Sequence, residues 1–288
     1  MEKRTRTIAK ILNTKAALEG AGVHLKRAFG YEEVPLLDPF LLLDDFSSND
    51  PKDYILGFPW HPHRGIETVT YVIAGRVEHE DSMGNKGVIN SGDVQWMTAG
   101  SGIVHQEMPQ EYEGAMHGFQ LWVNLPAKDK MMHPRYQGID ASSIPTFEKN
   151  SVRIKVIAGE VEGVRGPVQD IMVRPAYFDV SLAPGAAYAF DVVASHKVFA
   201  YVFEGSAQFD ETEGGGIEAG HLAIFSNGER VLARAGEHGA RFLFVSGKPI
   251  GEPVAWYGPI VMNTQEELKR AFEEYRAGTF IKHAVNGR

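Results

Sequence analysis

Short runs of alternating apolar and polar positions dominate this chain, separated by glycine-rich breaks. The segment TVTYVIAGRVEHED (68–81) alternates β-branched and aromatic residues with polar ones and breaks at Gly84-Asn85. VINSGDVQWMTAGSGIVHQEM (88–108) gives short strands cut at Ser91-Gly92 and at Gly100 and Gly102, and HGFQLWVNLP (117–126) is a further strand ended by Pro126. The second half repeats the style at 152–161, 176–185, 196–210, 221–236 and 240–250. Short strands at this spacing, with glycine turns, predict a β-sandwich or barrel. Only one helix is predicted. Thr264 is its N-cap, Glu267 completes a capping box, Leu268, Phe272 and Tyr275 share one face, and Gly278 stops it.

The two halves also share an order of events. A strand ending in Gly75 or Gly205 precedes a polar turn, and a Gly-containing step then leads into an apolar run, VQWM in one half and HLAIF in the other. The likeness suggests a duplicated barrel. Residues 126–150, with Pro126, Pro134 and Pro145, carry little periodicity and read as the connection. The expectation is an all-β chain of two β-barrel or jelly-roll domains, 1–130 and 131–288, the second carrying the helix.

Composition narrows the classes. The 288 residues are 43% apolar and 23% charged, as in ordinary globular proteins. The absence of cysteine excludes disulfides, thiolate metal sites and cysteine nucleophiles. A net charge of −8 argues against a broad nucleic-acid surface. Residues 1–29 nevertheless hold seven Lys and Arg against Glu2 and Glu19, a local +5 that leaves −13 on the remainder. This arm reads as a solvated first strand and hairpin. No apolar run reaches membrane-spanning length, and the basic start lacks the apolar core of a secretory signal, so a cytoplasmic protein without membrane contact is expected.

The chemistry concentrates in two short motifs. In His61-Pro62-His63, an extended backbone points residues i and i+2 to the same face, and Pro62 favours that conformation. His105-Gln106-Glu107 places an imidazole and a carboxylate in the same relation. Three imidazoles and one carboxylate suit Fe(II), Mn(II), Ni(II), Cu(II) or Zn(II), and four protein ligands leave room for exogenous ones. No P-loop, dinucleotide fingerprint, GxSxG or paired-acid motif occurs.

These segments resemble a cupin, and more narrowly the pirin family. The first cupin motif is matched by His61, His63, Glu67 and Gly75, with Gly57 close before them. The second is matched by Gly92 and Gly100, with Thr98 in place of proline and His105 two residues late. These departures are the ones pirins show. HPHRGIETV, GDVQWMTAGSGIVHQEMP and HGFQLWVNLP, from His61 to Pro126, look like the pirin core, and DPFLLLDDF (38–46) looks like its N-terminal block. The resemblance implies a bicupin whose metal, most often iron(II), is held by His61, His63, His105 and Glu107, with Glu67 behind the ligands. It implies a quercetin 2,3-dioxygenase-like activity on a small aromatic substrate and O₂, with Glu107 as the base. It equally implies an alternative, an iron-dependent redox-sensing regulator that binds a protein partner without turnover.

Other residues are weighed beside these. Trp60, Trp96, Met97, Phe119 and Trp122 flank the ligand segments and fit either a pocket for a flat substrate or the barrel core. Arg64 is a partner for Glu67 or Asp93, and His117 reads as a core histidine. The second half lacks HxH. Lys197 follows His196, and His221 and His238 have no i+2 partner, so this domain reads as metal-free. The Glu211–Gly216 run reads as an exposed turn.

Overall fold

The computed structural model of the chain describes residues 3–210 and 216–283, so most of the Glu211–Gly216 run lies outside the described residues. The chain is all-β, with one α-helix among the described residues. It forms two compact units. One comprises Ala16–Ala141 and the C-terminal segment from Ile250, and the other comprises Ser142–Pro249 and the N-terminal segment up to Lys15. This differs from a single cut at 130/131, and pairing explains why. Strand β1 (Ile8–Asn13) pairs with His221–Phe225, in the second half of the sequence. The helix packs instead on a hairpin of the unit that holds the first half.

In that unit the strands follow as β2 (Lys15–Glu19), β3 (Val23–Phe29), β4 (Phe40–Asp45), β5 (Phe58–His63), β6 (Ile66–Ala74), β7 (Arg76–Asp81), β8 (Lys86–Asn90), β9 (Val94–Thr98), β10 (Ile103–Pro109), β11 (His117–Asn124) and β12 (Arg135–Ile139). They make a seven-stranded sheet in the order β12-β9-β6-β11-β4-β3-β2 and a four-stranded sheet in the order β5-β10-β7-β8. The six residues of β4 are all buried, on both faces of the strand, whereas β10 alternates buried and half-buried positions along its length. Val23, Leu25 and Val72 of the larger sheet pack with Val77 and Ile89 of the smaller, together with Tyr54 and Met116. The alternating segment 68–81 falls in two strands, the first ending just before Gly75, in line with the sequence reading. Gly75, at φ +108°, turns the chain between them, where a Cβ would run into the Met116 sulfur. The expected connection 126–150 contains β12, which pairs along β9 and closes this sheet.

The C-terminal hairpin of Ala255–Tyr257 and Ile260–Met262 carries helix α1 (Gln265–Arg276). Thr264 and Glu267 form the expected reciprocal cap. Leu268 and Ala271 are buried against Ala255, Ile260 and Met262, Phe272 packs partly against them, and Tyr275 meets the edge of Phe280.

The other unit is built on two long strands, Lys197–Gln208 and Arg230–Gly247, flanked by Ala176–Leu182, Val152–Ala158, His221–Phe225 and β1. The gap read between 221–236 and 240–250 is not a break: Arg230–Gly247 runs across it, through Gly236 and Gly239, as one strand. The break falls earlier, between Phe225 and Arg230. Phe178, Phe190, Phe209, Phe242 and Phe244 fill the interior, Phe190 stacking on Phe244 at 4.2 Å. Part of the basic N-terminal excess is engaged here: the buried Arg6 guanidinium donates to the carbonyls of Gly228, His196, Ser226, Val193 and Ala194. No helix among the described residues is long and apolar enough to cross a membrane.

Candidate metal centre

His61 and His63 stand at the end of β5, and β10 runs antiparallel beside it with His105 opposite His61. Two neighbouring strands of one small sheet therefore deliver three imidazoles to one point. His61 Nε2 lies 3.1 Å from His63 Nε2 and 3.0 Å from His105 Nε2. At metal–nitrogen bonds of about 2.1 Å, nitrogens about 3 Å apart can both bind one ion. Among the described residues this is the only place where three His, Asp or Glu ligand atoms gather. His61 Nδ1 donates to the Pro59 carbonyl at 2.9 Å and His63 Nδ1 to the Pro259 carbonyl at 3.1 Å, so each ring presents Nε2 as the lone-pair atom. Burial, and then the neighbouring His61, hold the His63 and His105 imidazoles well below their usual range. They are neutral at pH 7, as metal ligands must be.

Gly65, at φ +79°, makes the turn that carries the chain from His63 into β6. A Cβ there would collide with the Val261 carbonyl oxygen. The turn is fixed from below by Lys130, which is buried and donates to the carbonyls of Gly65 and Val261 and to Asn124 Oδ1 at 2.8–3.1 Å. Burial brings its ammonium down to about 7. Nothing in the sequence marked Lys130, because an isolated lysine in a loop gives no sign of its burial.

Glu107 lies two residues beyond His105 and is buried, but its carboxylate is not within the imidazole group. Its Oε1 accepts from the Thr70 hydroxyl at 2.7 Å and its Oε2 from Gln120 Nε2 at 2.9 Å. An ionised carboxylate has about four acceptor sites, so each oxygen keeps one.

The reading of Glu67 as a residue behind the ligands is corrected. That expectation came from the resemblance, and the turn at Gly65 starts β6 anew after His63. In β6, Glu67 faces the opposite side from Thr70 and accepts from the Thr98 hydroxyl at 2.7 Å, with Arg135 at 3.9 Å. Burial pushes its carboxyl up to about 7. Arg64 pairs with neither Glu67 nor Asp93. It is buried, donates to Glu274 and to the Phe280 carbonyl, and lies 4.2 Å over the Phe280 ring.

A cleft of about 870 Å³ opens on the imidazoles. His61, His63, Gln120 and Trp122 line it, with Trp256, Tyr257 and Tyr31 as aromatic walls. Trp122 meets the His63 ring edge-on at 5.1 Å, and Trp256 stands 5.7 Å from Trp122 and 5.5 Å from Tyr31. Its volume and mixed lining suit a small, flat organic molecule. Of the sequence candidates only Trp122 faces the cleft. Trp96, Met97 and Phe119 are core, and Trp60 is exposed. His117 packs against Phe119. In the other unit the His196 carbonyl accepts from Arg6, the His221 ring donates to its own turn, and His238 lines an open groove.

Two family descriptions match the chain: Pirin over residues 22–123, and Pirin C-terminal cupin domain over 177–281. A Pseudomonas aeruginosa protein, whose name offers quercetin 2,3-dioxygenase as a provisional activity, is 44% identical over 280 residues, 96% of this chain and 98% of its own. The crystal structure of a quercetin 2,3-dioxygenase from Acinetobacter baumannii superposes with a TM-score of 0.89 at 34% identity, covering 98% of this chain and 100% of that one. A bacterial pirin from Escherichia coli, in complex with nickel(II), shares the fold at 22% identity, with a TM-score of 0.64 over 83% of this chain and 99% of its own.

Proposed function

Because this chain belongs to the pirin family, we propose that it is a metal-dependent dioxygenase that opens flavonols such as quercetin with O₂ and releases CO. The observation that carries the reading is the gathering of three imidazoles, two of which line an aromatic-walled cleft. The donor set fits a borderline divalent ion and lacks the thiolates of structural zinc sites. His61, His63 and His105 would hold iron(II), with manganese, nickel, copper or zinc as alternatives, and Glu107 would supply the fourth ligand through a free acceptor site. The ion, when bound, supplies Lewis acidity toward the ionised substrate and a route for electrons to O₂.

The remaining work falls to the chain. Glu107 takes the proton of the flavonol 3-hydroxyl, held in place by Thr70 and by Gln120, which itself lines the cleft. Trp122, Trp256 and Tyr31 flank the flat rings and keep water from the ionised substrate. In the net reaction both oxygen atoms enter the organic product, a carboxylic ester, and carbon 3 leaves as CO.

The test is anaerobic reconstitution with Fe(II), followed by quercetin and air, with quercetin loss and CO recorded against metal-free protein. Metal-dependent CO release is expected. Full metal occupancy without CO would overturn the reading and turn attention to a redox-controlled protein partner.

A further inference from the structure

One end of the cleft is ionic, and the reaction described above makes no use of it. Arg27 grips Asp44 with two bonds, Nε to Oδ1 at 2.8 Å and Nη2 to Oδ2 at 2.7 Å, and Glu19 meets the same Nη2 at 2.9 Å. All three line the cleft with His61, His63 and the aromatic walls. Their position relative to the imidazoles follows from the sheet register. Thr70 on β6 stands opposite Gln120 on β11, Gln120 opposite Asp44 on β4, and Asp44 opposite Arg27 on β3. These four residues form one polar row across four strands. The row begins at the two residues that hold Glu107 and ends at the ion cluster. With strands about 4.8 Å apart, Asp44 lies about 10 Å along the row from Thr70. That span matches a fused aromatic pair bearing a third ring. The next row holds Thr68, Trp122 and Leu42, the apolar flank.

We propose that Asp44 and Glu19, oriented by Arg27, form a hydroxyl-recognising end of this cleft, selecting flat aromatics that carry donor hydroxyls on the ring remote from the imidazoles. The proposal rests on the flavonol reading of the same cleft and specifies its substrate class. Two carboxylates share one guanidinium, so the cluster carries a local charge of −1 and is rich in acceptors. Asp44 has two of its roughly four acceptor sites filled by Arg27. Phenolic hydroxyls satisfy the others, whereas a carboxylate on the ligand meets like charge. A partly buried ion cluster adds little stability over apolar residues of the same volume. Its effect is on discrimination, because a ligand without hydroxyls leaves desolvated acceptors unpaired.

The test uses the full-length protein loaded with zinc, which is redox-inert, under anaerobic conditions. The fluorescence of Trp122 and Trp256 reads binding of quercetin, which has two hydroxyls on its outer ring, and of galangin, which has none. Quercetin is expected to bind about tenfold more tightly, from hydrogen bonds to charged acceptors. Asp44→Asn should bring the ratio close to 1, and Glu19→Gln should lower it severalfold, while galangin affinity stays within about twofold. Should Asp44→Asn fail to fold, Glu19→Gln, at a half-exposed position, carries the same test. An undiminished ratio in the folded variants, or no preference in the wild type, overturns the proposal. CO release is not part of this readout. A protein that discriminates the two flavonols but releases no CO loses the dioxygenase reading alone, and one that releases CO with no discrimination loses this inference alone.

Discussion

His63 Nδ1 donates to the carbonyl oxygen of Pro259, 196 residues further along the chain. The bond fixes the tautomer of a central imidazole, and the segment that provides it is itself anchored. Val261 N donates to the Arg64 carbonyl, Lys130 binds the carbonyls of Gly65 and Val261, and Arg64 grips Glu274 and Phe280. The C-terminal hairpin and helix thus orient an imidazole of the candidate metal centre that lies in the first quarter of the sequence. Lys130→Met keeps the length of the side chain and removes three hydrogen bonds. It should lower unfolding free energy by about 3 kcal/mol, at about 1 kcal/mol per bond, and weaken metal affinity about tenfold through the loosened His63. Denaturant titration and competition with a chromogenic chelator measure the two. A lower stability with unchanged metal affinity would confine Lys130 to structure.

His63→Ala and Glu107→Gln should separate holding the metal from using it. The first removes one of three converging nitrogens and should abolish stoichiometric metal binding. The second keeps the three imidazoles and the bonds from Thr70 or Gln120 in part. It should retain metal with affinity reduced about 10- to 100-fold, while CO release at saturating metal falls at least about 100-fold with the loss of the base. Metal content by mass spectrometry and CO by gas analysis decide. An unchanged rate in Glu107→Gln would remove it as the base.

The gathering of imidazoles was legible where it depended on spacing along one strand: His61-Pro62-His63 places two on one face, and the structure brings His105 to them. The same spacing did not bring the Glu107 carboxylate into that group, since the register shifts between His105 and Glu107. The helix was legible for the same reason, since its cap and face lie within a few residues. What depended on chain reversal was not. Glu67 left the site because Gly65 turns the backbone. Tyr31 and Trp256 reach the cleft from segments far from the ligands, and β1 pairs across the whole sequence. Arg27 and Asp44 carry no motif, and their place in the cleft comes only from the register of β3, β4 and β11.

Trp256 tests the aromatic wall from its distal side. Its indole NH donates to the Gly258 carbonyl at 2.7 Å, and its ring contacts Trp122 and Tyr31 without touching an imidazole. Trp256→Ala should weaken flavonol binding about tenfold, a stacking loss of about 1–1.5 kcal/mol, and leave metal affinity unchanged. Titration of zinc-loaded protein with quercetin checks the first and chelator competition the second. Equal flavonol affinity in the variant would place the ligand elsewhere in the cleft.

Glu67 predicts a pH dependence of stability that is independent of the metal ligands. Its carboxyl rises from an ordinary 4.5 to about 7 on folding, first through burial, against the opposing Thr98 hydroxyl and Arg135. Between those two values the folded state holds a proton that the unfolded state has released. The contribution of this group is therefore fully present below pH 4.5 and is lost as pH rises through 7. The full swing is about 3 kcal/mol at 1.36 kcal/mol per unit. Glu67→Gln cannot ionise and keeps an oxygen for Thr98. The variant should match the wild type near pH 4.5 and exceed its stability by up to about 3 kcal/mol at pH 8. Other titrating groups are common to both proteins and cancel in the difference. Urea unfolding at pH 5, 6, 7 and 8 measures it. A difference that does not change with pH would mean that Glu67 stays charged in the fold, held by Arg135.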